Sequence, residues 1–235
     1  MAKVVIFSGA GISAESGIST FRDSGGLWEN HKIEDVCIKG CLEKNRKATF
    51  DFYNQRRIHL KHAAPNKAHK VIASLKNRYP SEIDIITQNV DDLFERAQAV
   101  ETIHLHGFLT SIRCMRKHCN YKKDIGYTAL DEKQRCPKCN KTLRPDIVFF
   151  NEKAPMYAKL YQSLQSCEML VVIGTSGLVI DTSILVRAKM KKTILNNLEK
   201  SQYIDEELFS KVLYMPATEA IDEISKEIEL FLNQS

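Results

Sequence analysis

The sequence predicts an α/β fold: a parallel sheet covered by helices on both faces, with a smaller inserted domain that is part helical and part cysteine-bearing. Three observations predict it. Short β-branched runs alternate with longer amphipathic stretches, a glycine-rich turn directly follows the first run, and four cysteines fall as two close pairs where the alternation breaks. At 235 residues, 43% of them hydrophobic and 27% charged, the chain can build one good core plus a small appendage.

Composition also narrows the function classes. No apolar run nears the roughly 20 residues of a membrane helix, and Val4-Val5-Ile6-Phe7 is too short for a secretion signal. A cytoplasmic location with no membrane partner is therefore expected. The net charge of +5 is spread along the chain, whereas a nucleic-acid footprint needs a denser basic stripe, so no specific nucleic-acid partner is expected. A monomer is the expected state. Seven cysteines in such a chain should be reduced, and a cluster of them points to metal or catalysis.

Strands are predicted at residues 4–7, 83–86, 103–105, 169–173, 193–195 and 212–215, where near-continuous apolar character suits burial on both faces. Amphipathic patterns predict helices over 46–61, 65–78, 155–165 and 219–232. Residues 31–62 are helical and charge-rich, and residues 108–145 show no convincing core strand or long helix; both read as insertions. The expected division is a sheet domain of residues 1–30, 63–107 and 146–235, with 31–62 and 108–145 forming the small domain.

The turn Ser8-Gly9-Ala10-Gly11-Ile12-Ser13-Ala14 has the pattern G-x-G-x-x-A and opens a helix. Such glycines let a backbone approach a pyrophosphate, whose charge meets free N–H groups at the helix start; a tight strand-to-helix turn is the plainer reading. A nicotinamide dehydrogenase would show a second strand ending in an acidic residue about 20 positions on. No apolar strand precedes Glu29 or Glu34, which disfavours that enzyme. Instead Phe21-Arg22-Asp23 and Gly25-Gly26-Leu27-Trp28 read as a loop that closes over a ligand.

Cys114-x4-Cys119 and Cys136-x2-Cys139 offer four soft ligands in two knuckles, which suits one tetrahedral zinc ion. Four thiolates leave no open position, so the zinc is expected to be structural. Cys37, Cys41 and Cys167 are expected only to pack. Polar clusters sit at the ends of four of the predicted strands: Gln88, Asn89 and Asp91; His104 and His106; Gly174, Thr175 and Ser176; Asn197 and Glu199. Ligands collect outside the carboxyl ends of parallel strands, so these clusters suit a polar cofactor and an acid/base.

Taken together the motifs resemble the sirtuins, the NAD-dependent protein-lysine deacylases. The matching pieces, in family order, are GAGISAESGISTFR from Gly9, GLW from Gly26, TQNVD from Thr87, HLHG from His104, the cysteine pairs, RPDIVFF from Arg144, GTS from Gly174 and NLE from Asn197. The resemblance implies a Rossmann-like domain and a zinc-bearing domain with NAD and acyl-lysine meeting between them. It implies NAD contacts from Gly9, Ala10, Gly11, Ser13, Phe21, Arg22, Trp28, Gln88, Asn89, Asp91, Gly174, Thr175, Ser176, Asn197, Glu199 and Ala217. It implies His106 as the base, and Val148 and Phe149 as backbone partners of an extended acyl-lysine peptide.

The implied reaction consumes NAD. The acyl oxygen attacks the ribose carbon as nicotinamide leaves, giving an alkylamidate; His106 then takes a proton from the ribose hydroxyls so that one attacks the amidate carbon. Free lysine, nicotinamide and O-acyl-ADP-ribose result. Tyr53 and Arg56, three apart on one helix, resemble the class III pattern that reads malonyl-, succinyl- or glutaryl-lysine, with acetyl-lysine as a further substrate. Five positions depart from the family pattern: Asp92, Gln98 and Asn151 where glycine is common, Phe94 where histidine is common, and Asp181 near a usual proline. Rival readings are a protein ADP-ribosyltransferase, a zinc-dependent binding module for nucleic acid or protein, and a pseudoenzyme that senses NAD.

Overall fold

The computed structural model of the chain describes residues 2–19 and 32–234. Phe21, Arg22 and Trp28, with the predicted closing loop, lie outside the described residues. The strands in chain order are β1 (Val4–Ser8), β2 (Ile83–Thr87), β3 (Thr102–His104), β4 (Gly107–Cys114), β5 (Lys122–Asp124), β6 (Leu143–Ile147), β7 (Met169–Ile173), β8 (Lys192–Asn197) and β9 (Lys211–Tyr214). The helices are α1 (Gly11–Ala14), α2 (Ile33–Val36), α3 (Cys41–Lys44), α4 (Arg46–His62), α5 (Lys67–Arg78), α6 (Leu93–Arg96), α7 (Tyr157–Ser166) and α8 (Ala217–Asn233).

All six predicted strands form one parallel sheet in the order β3-β2-β1-β7-β8-β9. Alternation along β1 explains its two covered faces. Val4 and Ile6 join Ala68, Ile72 and Leu75 of α5 and Ile221, Ile224 and Ile228 of α8, while Val5 and Phe7 join Leu160 and Leu164 of α7. Strand order runs outward from the β1/β7 pair in both directions, which makes that pair the topological switch point. Helix α5 starts where it does because the Asn66 side chain accepts the His69 amide.

A second sheet, antiparallel and ordered β5-β4-β6, corrects the expectation that residues 108–145 lack a core strand. Strand β4 is eight residues long, and Thr110 and Ser111 within it are buried. Those hydroxyls, together with a register shift between Phe108 and Ile112, hide the apolar period that sequence reading depends on. Helix α4 packs against this sheet: Phe52, Tyr53 and Leu60 share a core with Leu109, Ile112, Leu143 and Ile147. The fully buried Arg57 ties the two, donating from Nε to the Leu109 carbonyl at 2.8 Å. Among the described residues no helix is long and apolar enough to cross a membrane.

Candidate active site

Because all six strands are parallel, their carboxyl ends and the loops that follow share one edge. At the switch point the β1 and β7 turns touch backbone to backbone. The Gly11 amide donates to the Gly174 carbonyl at 2.8 Å, and a Cβ on Gly174, whose φ is +64°, would lie 2.4 Å from the Ile12 nitrogen. Gly9 and Gly11 are equally tight, with a Cβ on either 2.7 Å from Gly174 backbone. The tight-turn reading of the glycines therefore holds: any Cβ at these positions would collide with the facing turn.

A polar floor lies beside this turn. Asn89 donates from Nδ2 to the Gly9 carbonyl and to Ser13 Oγ, both at 3.1 Å; Ser13 in turn donates to Asp91 Oδ2 at 3.0 Å. Gln88 Nε2 donates to Thr175 Oγ1 at 2.9 Å and joins the β2 and β7 ends. Burial raises the Asp91 carboxyl above its ordinary range, against the pull of the Leu93 amide and the Ser13 hydroxyl. His69, under the floor and fully buried, is pushed down to about 4 by desolvation. Amides, hydroxyls and a carboxylate at one strand edge are a donor set that fits the ribose and phosphates of a dinucleotide.

His106 stands in the short link between β3 and β4. Its Nδ1 lies 3.0 Å from the Gln88 carbonyl, which can only accept, so Nδ1 carries the proton and Nε2 is left as the basic atom. Desolvation pushes its pKa below the ordinary histidine value, and the Gln88 carbonyl pulls the other way; the ring is neutral at neutral pH, as a base must be.

His104, two residues earlier, is the opposite case. Its nitrogens face the Asn89 carbonyl and Glu95 Oε1, both acceptors at 2.9 Å, so the imidazolium form is favoured. Burial lowers its pKa, but Glu95 and the Asn89 carbonyl outweigh it, and the net direction is up. A histidine raised in the fold lends stability that is complete below its unfolded pKa of about 6.5 and lost as pH climbs through the folded value. In melts from pH 6 to pH 8.5, the advantage of the native protein over His104→Gln should shrink as pH rises. It should begin near 0.5–1 kcal/mol, since Glu95 is partly open to solvent.

On the far side of His106, Val148 donates its amide to the His106 carbonyl at 2.8 Å, and the Phe149 and Phe150 amides go to Glu152 and the Cys37 carbonyl. The amides of Val148, Phe149 and Phe150 are thus all engaged within the chain. Phe149 stacks on Tyr53 with ring centroids 5.7 Å apart. Tyr53 is 1% exposed, and its hydroxyl lies 3.5 Å from Cys37 Sγ. Arg56 is half-buried with its guanidinium 5.8 Å from the Phe52 ring, and its charge draws down both the Tyr53 phenol and the Cys37 thiol against the larger effect of burial.

The Sγ atoms of Cys114, Cys119, Cys136 and Cys139 lie within 4.8 Å of one another, with Cys114–Cys139 at 3.5 Å and Cys119–Cys136 at 3.7 Å. A tetrahedral zinc with bonds of about 2.3 Å separates its sulfurs by about 3.8 Å, so the four residues fit the ion.

The family description "Sir2 family" matches residues 9–181. A protein named NAD-dependent protein deacylase from Campylobacter jejuni (strain RM1221) is 44% identical over 233 residues, which is 99% of this chain and 98% of that protein. The chain belongs to the Sir2 family. A deacylase of the same name from Helicobacter hepaticus is 44% identical over 255 residues, covering 98% of this chain and 99% of that one. Among solved structures, a Sir2 homologue mutant bound to ADP-ribose superposes with TM-score 0.85 at 31% identity, covering 99% of this chain and 94% of that chain. A Sir2 homolog–NAD complex gives 0.84 at 31% identity, covering 97% and 90%.

Each departure from the Sir2 pattern has a physical setting. Gln98 and Asn151, at two usual glycine positions, keep the left-handed backbone with φ of 66° each. Asp92 accepts the Tyr127 hydroxyl and so joins the β2 loop to the segment between β5 and β6. Phe94 packs edge-on against His69 at 4.9 Å, and Asp181 accepts the Ser183 amide to start a short 3-10 turn.

Of the remaining expected Sir2 contacts, Ser176 follows β7 and accepts the Leu178 amide, Asn197 ends β8 with Glu199 two residues beyond it, and Ala217 opens α8. Ala10 opens the turn into α1. Sequence reasoning missed the His104–Glu95 pair, His69 under the floor, the thiol of Cys37 at the Tyr53 hydroxyl, and Tyr157, whose hydroxyl lies 3.1 Å from His106 Nε2. Only His104 carried a signal, being a second histidine on the same strand end.

Proposed function

We propose that this Sir2-family chain is an NAD-dependent protein-lysine deacylase with a preference for acidic acyl groups, acting on acyl-lysine proteins or peptides. The observation that carries the reaction is the tautomer of His106: one nitrogen is tied to Gln88, and the other keeps a lone pair that faces the Tyr157 hydroxyl, at the same sheet edge as the bonds among Ser13, Gln88, Asn89 and Asp91. NAD, when bound, supplies the ribose carbon from which nicotinamide leaves and the hydroxyls that receive the acyl group.

The chain's own residues do four things in this reading. Gly9 to Ser13, Gln88, Asn89, Asp91 and the β7 to β9 ends hold the dinucleotide, and the resemblance adds Phe21, Arg22 and Trp28 as contacts. His106 takes a proton at Nε2 from a ribose hydroxyl. The segment at Val148 and Phe149 positions the peptide, and with its amides engaged, its carbonyls and side chains do so. The zinc at Cys114, Cys119, Cys136 and Cys139 holds the β4–β6 sheet in place and takes no part in the chemistry.

Acyl preference rests on Tyr53 and Arg56. A buried phenol and a half-buried guanidinium beside it form a receptor that offers a carboxylate charge-assisted hydrogen bonds, worth about 1.5–3 kcal/mol. The native protein with NAD and a panel of acyl-lysine peptides should turn over succinyl-, malonyl- or glutaryl-lysine faster than acetyl-lysine, releasing O-succinyl-ADP-ribose detectable by mass spectrometry. Arg56→Met should lose roughly tenfold to a hundredfold on succinyl-lysine, and Tyr53→Phe less. Preference of the native protein for acetyl-lysine, with succinyl-lysine turnover indifferent to both changes, would sink this assignment.

A further inference from the structure

The base offers one acceptor, and it is taken. With Nδ1 donating to the Gln88 carbonyl, His106 has a single in-plane lone pair on Nε2, and the Tyr157 hydroxyl lies 3.1 Å from it. The Gln88 carbonyl fixes the direction of this second bond: a neutral ring with its proton on Nδ1 can only accept at Nε2, so Tyr157 is the donor. A lone pair that accepts one hydrogen bond well does not accept two. For His106 to receive a proton from a ribose hydroxyl, that hydroxyl must come to the atom where Tyr157 now points.

Tyr157 is placed so that it can leave. It is the first residue of α7, half-buried, and it packs only at the margin of the core that Leu160 and Leu164 anchor. Its ring is tilted 44° to the imidazole with centroids 6.1 Å apart, so no stacking holds the pair together. The hydroxyl contact is what joins them. A half-buried side chain at the first turn of a helix has solvent on one side into which another staggered rotamer can swing.

We propose that Tyr157 is a positioning residue for His106: its hydroxyl holds the reactive nitrogen in the unliganded enzyme and is exchanged for a ribose hydroxyl when NAD binds. The exchange rests on the deacylase reading above, which makes Nε2 the basic atom. The displaced phenol passes to solvent, which its half-buried position allows. NAD therefore binds against the loss of one intramolecular hydrogen bond, and removal of that bond tightens binding of any ligand that carries the distal ribose.

The decisive variant is Tyr157→Phe, with Tyr157→Leu as a second, and binding is read by calorimetry with three probes: NAD, ADP-ribose and ADP. Both variants should bind NAD and ADP-ribose roughly two- to tenfold more tightly than the native protein. ADP ends before the distal ribose, and its affinity should not change. No gain with ADP-ribose, a loss, or an equal gain with ADP overturns the proposal; a fold that is merely disturbed does not bind a ligand more tightly. These binding arms decide the exchange whether or not turnover is seen. Failure of the deacylase reading appears separately, as native protein that consumes no NAD with any acyl peptide.

Discussion

His106→Ala is expected to lower NAD-dependent deacylation by about 10²- to 10⁴-fold, the range that a positioned general base contributes. The fold should survive, because the side chain is only half-buried and the groups it leaves behind, the Gln88 carbonyl and the Tyr157 hydroxyl, are partners that water can satisfy. The loss should be in kcat, since in the proposed reaction His106 takes its proton after NAD and peptide are in place. ADP-ribose binding, assigned in the proposed reading to the polar floor around Ser13, Asn89 and Asp91, should persist. Nicotinamide release and deacylated peptide measured together, with a melting curve as control, check this. Activity within a few-fold of native, in a variant that melts normally, would remove His106 from the role of base.

Loss of the four-cysteine site should be as damaging through a different route. Stripping the ion with a chelator, or replacing Cys119 with serine, should destroy cooperative packing of the β4–β6 sheet. Structural zinc contributes about 10–16 kcal/mol of apparent binding energy in small modules, comparable to or larger than the 5–15 kcal/mol that keeps a whole domain folded. Cys114 and Cys136 lie in the same buried cluster as Leu109, Leu143, Ile147, Phe149 and Tyr53, so the damage should not stay local. Metal analysis should find about one zinc per chain, and its removal should lower the melting point, weaken the near-ultraviolet circular dichroism and abolish turnover together. Zinc-free protein with native melting and activity would refute the structural assignment.

How legible each part was in the sequence follows from how local its cause is. A strand such as Met169–Ile173 announces itself because burial on both faces demands an unbroken apolar run, and all five of its residues are buried. The cysteine knuckles are equally local, since ligand spacing within each pair is set by a single turn. Strand β4 was illegible because Thr110 and Ser111 are buried hydroxyl residues that break the pattern on which recognition rests. Tyr157 meets His106 across 51 residues, a contact made by the return of the chain through β6 to α7, and no short motif encodes it. Gln98 and Asn151 show the converse: they depart from the family's letters yet keep the left-handed conformation that glycine would adopt there.

The two adjacent carboxylates of the β2 loop have a consequence for how ligands sense each other. Asp91 takes the Ser13 hydroxyl beneath the β1 turn, while Asp92 takes the Tyr127 hydroxyl from the zinc-bearing segment. One peptide unit thus answers to both sides of the molecule. If a bound peptide shifts the zinc-bearing segment and so changes affinity for NAD by some factor, reciprocity requires NAD to change affinity for the peptide by that same factor.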